Sequence, residues 1–188
     1  LSIEAPQSRE EILQAFERQD SANSAFWTSF GAEAFFRPRG EGWSAADTVR
    51  HLIKSTFPVV KALGMPRIVL RVLFGRPKRE PWSYEQYRER YLAALAAGGK
   101  AGRFSPSRRS ESDLEAWRSS ILSRYATVNR NLRSAIARWP DPRLDAYQLP
   151  HPLLGNLSVR EMLFSTLYHQ RHHIDVIRRK AANLTEQR

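Results

Sequence analysis

The sequence predicts an all-α bundle of four main helices. Apolar residues recur every three or four positions over several long stretches. Two of those stretches open on capping-box patterns. Nowhere do alternating β-branched residues run between tight hairpin turns. With 188 residues, 41% of them hydrophobic, the chain can bury one core, so a single domain over 1–188 is expected.

The first helix is expected from about Ser8 to Phe30, where Ile12, Phe16, Phe26 and Phe30 keep helical spacing and Glu10 and Glu11 sit where the helix dipole favours acids. Its inward stripe passes through Gln19 and Asn23, which either face a polar pocket or mark a wider solvent seam. A loop with Pro38, Gly40 and Gly42 follows. Ser44 to Asp47 form a variant capping box that opens a second helix with the stripe Ala45, Val49, Leu52, Thr56, Val59 and Leu63. This helix tolerates or kinks at Pro58 and breaks between Gly64 and Pro66, and Arg67 to Phe74 resumes as a short helix.

Tyr84, Tyr87, Tyr91, Leu92 and Leu95 mark an inserted helix between the second and third main helices, stopped by Gly98 and Gly99. Lys100 to Ser110 has no apolar period and reads as surface loop. The third main helix is the clearest run: Leu114, Trp117, Ile121, Tyr125, Val128, Leu132, Ala135 and Trp139, ended by Pro140. Tyr125 is its one polar-tipped inward residue. A proline-rich crossover leads to a second capping box, Ser158 to Glu161, and a fourth main helix reaching about Ala182. One short and two long links fit a bundle with crossover connections better than a simple up-and-down one.

Composition removes several function classes. The chain has no cysteine, which excludes disulfides, thiolate metal sites, iron–sulfur clusters and a protein thiol nucleophile. Any metal must sit on His, Asp or Glu. The most apolar long stretch, Phe57 to Phe74, is interrupted by Lys61, Arg67 and Arg71, so no membrane span is expected. The chain begins at Leu1 rather than Met, so an upstream segment is expected to have been removed or left out. The expected location is the cytoplasm. A net charge of +11 suggests phosphate binding, but the basic residues are spread, with small clusters at Arg76–Lys78–Arg79, Arg108–Arg109 and Arg178–Arg179–Lys180. A solvated basic surface is expected, and nucleic acid is not an expected partner.

The fourth helix carries the inward stripe Val159, Met162, Thr166, His169, His173 and Ile177. Residues four apart lie one turn along the same face, so the His169 and His173 imidazoles can reach one ion together. His169 could equally hydrogen-bond a neighbouring helix. His172 projects with Tyr168 and Val176 to one side and reads as a supporting or structural residue. His51, seven residues after the cap Ser44, could be brought to the same turn by antiparallel or crossed packing. Asp47, one turn before it, either orients its imidazole or serves only the capping box. His151, between Pro150 and Pro152, reads as a surface residue. Three imidazole nitrogens would leave a tetrahedral ion one open position, the pattern of catalytic rather than structural zinc.

Gly42-Trp43-Ser44 leading to His51-Leu52, followed by Tyr168-His169-Gln170-Arg171-His172-His173, resembles the DinB-like superfamily. The approach to the last helix, His151 to Ser158, is similar too. The insertion from Gly75 to Ser110 marks a variant. The resemblance implies a four-helix bundle in up-down-down-up order, with a divalent metal on His51, His169 and His173, Zn or Ni being expected. It also implies a small-molecule substrate, with relatives that include transferases using low-molecular-weight thiols and proteins described as metal-dependent hydrolases. A thiol cosubstrate and a homodimer are expectations of the same kind, and a non-catalytic metal-binding or scaffold role is the alternative.

Overall fold

The computed structural model describes residues 5–38, 42–100, 102–106 and 112–185. Four long helices form the body: α1 (Arg9–Thr28), α3 (Ala45–Gly64), α6 (Leu114–Ala137) and α7 (Val159–Thr185). Shorter helices are α2 (Ala32–Phe36), α4 (Arg67–Phe74) and the insertion α5 (Tyr84–Ala96). The two expected capping boxes form, at Ser44 and Ser158, and Ser8 and Ser83 open α1 and α5 in the same way: each Ser Oγ accepts from the backbone N–H three residues on, whose side chain accepts from the Ser N–H.

Contacts between helix ends fix the order. Trp139 Nε1 at the end of α6 donates to the Leu63 carbonyl at the end of α3, 3.0 Å away, so these two helices run parallel. Arg9 at the start of α1 donates to the Trp139 carbonyl at 3.1 Å, so α1 runs against α6. Gln19 donates to the Leu167 carbonyl at 3.0 Å, and Asn23, one turn later, donates to Gln170 at 3.3 Å, so α1 and α7 ascend together. The order is up-down-down-up, with α5 inserted between α3 and α6 and packed on α7 through Tyr84–Phe164 and Tyr91–Tyr168 edge contacts.

The fold is the expected helical bundle, with one β element the sequence did not disclose. The crossover contains a two-stranded antiparallel hairpin, β1 (Gln148–His151) and β2 (Gly155–Ser158). Each strand has four residues, and Pro150 breaks any legible alternation, yet Leu149 and Leu157 pair across the ladder and are both buried. Gly155 closes the turn at φ +70°, a conformation that favours glycine. The five-residue α2 was also unexpected; it exists because fully buried Phe35 anchors it. The basic pair Arg108–Arg109, and much of the loop predicted around it, lies outside the described residues.

Gln19 and Asn23 mark neither a polar pocket nor a solvent seam. Asn23 donates to Tyr125 Oη and Gln170, Tyr125 donates to Gln170 at 2.9 Å, and Gln170 donates to Asn129 at 3.0 Å. This buried network joins α1, α6 and α7 and fixes the rotation of α7 against its neighbours. At the start of α7, Glu161 is 1% exposed. Its carboxylate accepts from Ser158 N–H, Trp82 N–H and two nitrogens of Arg79, at 2.6 to 3.1 Å. The segment entering α5 is thereby tied to the cap of α7.

Replacing Glu161 with Ala strands two backbone donors and the Arg79 guanidinium. The expected loss is about 2–4 kcal/mol of unfolding free energy, read by urea denaturation at neutral pH. An unchanged midpoint would mean that this junction contributes no net stability.

Candidate metal centre

Two of the three predicted histidines share one face of α7 because they lie four residues apart on it. The third comes from the second turn of α3, which runs antiparallel to α7, and is buried. His51 Nε2 lies 2.9 Å from His169 Nε2, and His173 Nε2 lies 3.1 Å from the same atom. The three rings meet edge to face with centroids 4.6 to 4.8 Å apart. Among the described residues no fourth His, Asp or Glu joins this group.

The hydrogen-bond chemistry limits what can hold three nitrogens so close. His51 Nδ1 lies 3.0 Å from the Phe104 carbonyl, an acceptor only, so Nδ1 carries the proton and Nε2 presents a lone pair. A proton on His169 Nε2 would then have to serve two acceptors at once. A cation among the three satisfies every lone pair. A tetrahedral zinc ion at about 2.0–2.1 Å from each nitrogen needs nitrogens roughly 3.3–3.4 Å apart, within a few tenths of an ångström of the two short separations. His51, His169 and His173 could therefore hold a divalent metal.

Electrostatics favour the metal-ready state. Burial first, then repulsion from His173 and His51, holds His169 well below the ordinary histidine range. Burial, with repulsion from His51 and His172, pushes His173 down to about 3. His51 is lowered by burial and, to a lesser degree, by Lys54, against the opposing pull of the Phe104 carbonyl. All three imidazoles are neutral near pH 7, the form that ligates.

The triad forms part of the wall of a cavity of about 540 Å³. Trp43 stacks on His173 at 5.9 Å and tilts over His51 at 4.8 Å, which shields the cluster with an apolar ring. Tyr91, brought by α5, faces His169 edge-on at 6.4 Å, and burial raises its hydroxyl to about 12, so it stays protonated. Apolar residues from α3, β1 and α7 form much of the remainder, and Lys100 is the one formal charge among the described lining residues.

The structure decides between roles the sequence leaves open and changes two of them. Asp47 serves the capping box rather than His51: it accepts from Ser44, donates its backbone N–H to Ser44 Oγ and pairs with Arg50 at 3.9 Å, while Phe104 orients His51. His172 stays out of the cluster and packs against Tyr168 and Tyr91. The predicted surface loop includes a short 3-10 turn, Gly102–Phe104, which supplies that carbonyl, while the Ser105 carbonyl takes Lys54. A lone Phe in a Ser- and Arg-rich stretch was its sole signal. His151 is not a surface residue: it is half-buried, lines the same cavity and packs edge-on to Tyr87 and Tyr91. Pairing in an unforeseen hairpin turned it inward.

A match to the DinB superfamily spans residues 15–177. The chain belongs to the DinB superfamily. No curated protein matches it. Three solved structures share its fold. TT2238, described as a four-helix bundle protein, is 16% identical with a TM-score of 0.56, over 90% of this chain and 98% of its own. YfiT from Bacillus subtilis, described as a probable metal-dependent hydrolase with an unusual four-helix bundle topology, is 14% identical with a TM-score of 0.58, over 94% of this chain and 87% of its own. The colibactin self-resistance protein ClbS, solved with double-stranded DNA, is 17% identical with a TM-score of 0.58, over 93% of this chain and 95% of its own. At these identities the likeness is one of fold.

The depressed histidines make stability depend on pH in a defined direction. His173 falls to about 3 and His151 to about 4, from an ordinary 6.5. Between those limits the unfolded chain binds more protons than the folded one, so stability is complete above about pH 6.5 and declines as pH falls toward 4. Thermal melts of chelator-treated protein are expected to show a lower Tm at about pH 5 than at about pH 7.5, above the range where ordinary carboxylates titrate. A flat profile would contradict the burial of neutral imidazoles.

Proposed function

We propose that this protein is a metal-dependent hydrolase that binds a divalent ion, Zn or Ni, on His51, His169 and His173 and acts on a small molecule with an apolar body. The observation that carries this reading is the convergence of three Nε2 atoms in the wall of a 540 Å³ cavity, with no fourth ligand among the described residues. A saturated structural site needs four protein ligands; here one coordination position is left for the cavity. When bound, such an ion lowers the pKa of a water or thiol and polarises an oxygen.

The chain's own groups set up that chemistry. The Phe104 carbonyl holds His51 in one tautomer, and α7 presents His169 and His173 on a rigid turn. Trp43 keeps solvent from one side of the cluster. Ser55 and Thr166 spend their hydroxyl protons on the Leu52 and Met162 carbonyls, so toward the cavity they offer lone pairs. No carboxylate lies among the described lining residues, so no acidic side chain there takes up a proton. Although the chain carries a net charge of +11, a lining with Lys100 as its one described charge suits a largely neutral molecule.

A second reading, transfer of a low-molecular-weight thiol, is favoured by the absence of cysteine from the chain: any thiol nucleophile must arrive as cosubstrate. Both readings need the same ion with an open position.

Purified protein is expected to carry one divalent ion per chain, and His173→Ala or His51→Ala to reduce it at least tenfold while the helical circular dichroism persists. Unchanged metal content in both variants would remove the assignment. The cobalt-loaded protein is expected to change its visible spectrum when azide is added. No change would mean a closed shell and favour the scaffold role.

A further inference from the structure

We propose that His151 is a substrate-positioning residue: its Nε2–H donates to a carbonyl-type acceptor on a neutral substrate, at a point of the cavity away from the reacting bond. This rests on the metal-dependent reading of the same cavity.

The argument begins with the ring's other nitrogen. His151 Nδ1 accepts the backbone N–H groups of both Leu153 and Leu154, each at 3.2 Å. An atom receiving two N–H donors bears no proton, so the imidazole proton sits on Nε2. Among the described residues Nε2 has no hydrogen-bond partner, although the ring is half-buried and lines the cavity. A donor held in that state satisfies its hydrogen bond only through water or a ligand.

Its surroundings restrict what it can do. Burial lowers His151 to about 4, so the ring is neutral at ordinary pH, and its basic nitrogen is occupied. His151 therefore neither accepts a proton nor binds as a cation; it donates. Because Ser55 and Thr166 give their protons to their own helix, His151 supplies a donor where those hydroxyls do not.

Distance sets the role. The Tyr91 ring lies edge-on to His151 at 6.1 Å and to His169 at 6.4 Å, so one aromatic ring neighbours both histidines. A molecule spanning the two would place its reacting group at the histidine cluster and an acceptor farther along at His151. With apolar surface between, the matching chemistry is a hydrocarbon body carrying an amide, ester or ketone oxygen a few bonds from the reacting group.

The test uses a pair of hydroxamates as probes, N-acetyl-leucine hydroxamate and 4-methylpentanohydroxamate. They share the metal-binding head and apolar body, and only the first has the remote carbonyl. Titrated into cobalt-loaded wild-type protein, the first is expected to bind about tenfold more tightly, and in His151→Asn that preference is expected to fall below about twofold. Asn retains a side-chain oxygen for the turn N–H groups, and a thermal melt checks the fold. Equal preference in wild type and variant, or no binding of either probe to the cobalt-loaded wild type, overturns the proposal.

Long-range nitrogen–proton NMR of the metal-free wild type needs no variant. It is expected to show His151 neutral and protonated on Nε2 at pH 7; an Nδ1–H tautomer or an imidazolium overturns the proposal. Failure to load metal is read separately, by metal analysis, and counts against the metal-dependent reading while the tautomer still tests His151.

Discussion

Three imidazole lone pairs aimed at one point inside a helical bundle repel one another and lack water. His51, His169 and His173 pay that cost in depressed basicity: each is held below the ordinary histidine range by burial and, for His169 and His173, by repulsion from neighbouring histidines. Folding must supply the compensation. Its clearest source is the Phe104 carbonyl, which takes the Nδ1 proton of His51 and leaves Nε2 nothing but a lone pair. From that constraint follow the neutrality of the cluster near pH 7 and its capacity to receive a cation on three converging nitrogens.

The surrounding bundle keeps these atoms in place. Up-down-down-up order sets α3 antiparallel to α7, so the second turn of α3 reaches the middle of α7, where the His pair lies. The Asn23–Tyr125–Gln170–Asn129 network holds α7 at Gln170, the residue after His169, and so fixes which way the pair faces. Glu161, buried and shared by Arg79, Trp82 and Ser158, joins the inserted segment to the start of α7, and α5 then brings Tyr91 to the cavity. The helix between α4 and α6 is therefore part of the cavity wall, through Tyr91 and Leu95. Much of the positive charge is likewise engaged in structure: Arg160 pairs with Asp141 and Asp145, and Arg67 and Arg71 lie over Trp139 and Tyr147.

What the sequence disclosed and what it hid divide along physical lines. Long amphipathic stretches with side-chain caps were legible, because apolar period and capping are local properties: the α3 stripe from Ala45 to Leu63 is buried as expected. The pair His169 and His173 was legible for the same reason. His51 could be placed near them mainly through family resemblance, since helix order is not local. The hairpin, and with it the inward turn of His151, was hidden because Pro150 and Pro152 mask a four-residue pairing. The Phe104 carbonyl was invisible in principle, because a backbone acceptor has no residue signature. Gln19 and Asn23 were correctly found to be inward and polar, but their partners, Leu167 and Gln170, lie far away in sequence.

Anomalous diffraction from crystals of the zinc-loaded protein, collected on both sides of the zinc edge, tests the central claim most directly. The account predicts a single peak per chain, about 2.0–2.1 Å from the Nε2 atoms of His51, His169 and His173, with the remaining coordination position facing the cavity and His51 Nδ1 still on the Phe104 carbonyl. A map without a peak among the three rings, or with a fourth protein side chain completing the shell, would contradict it.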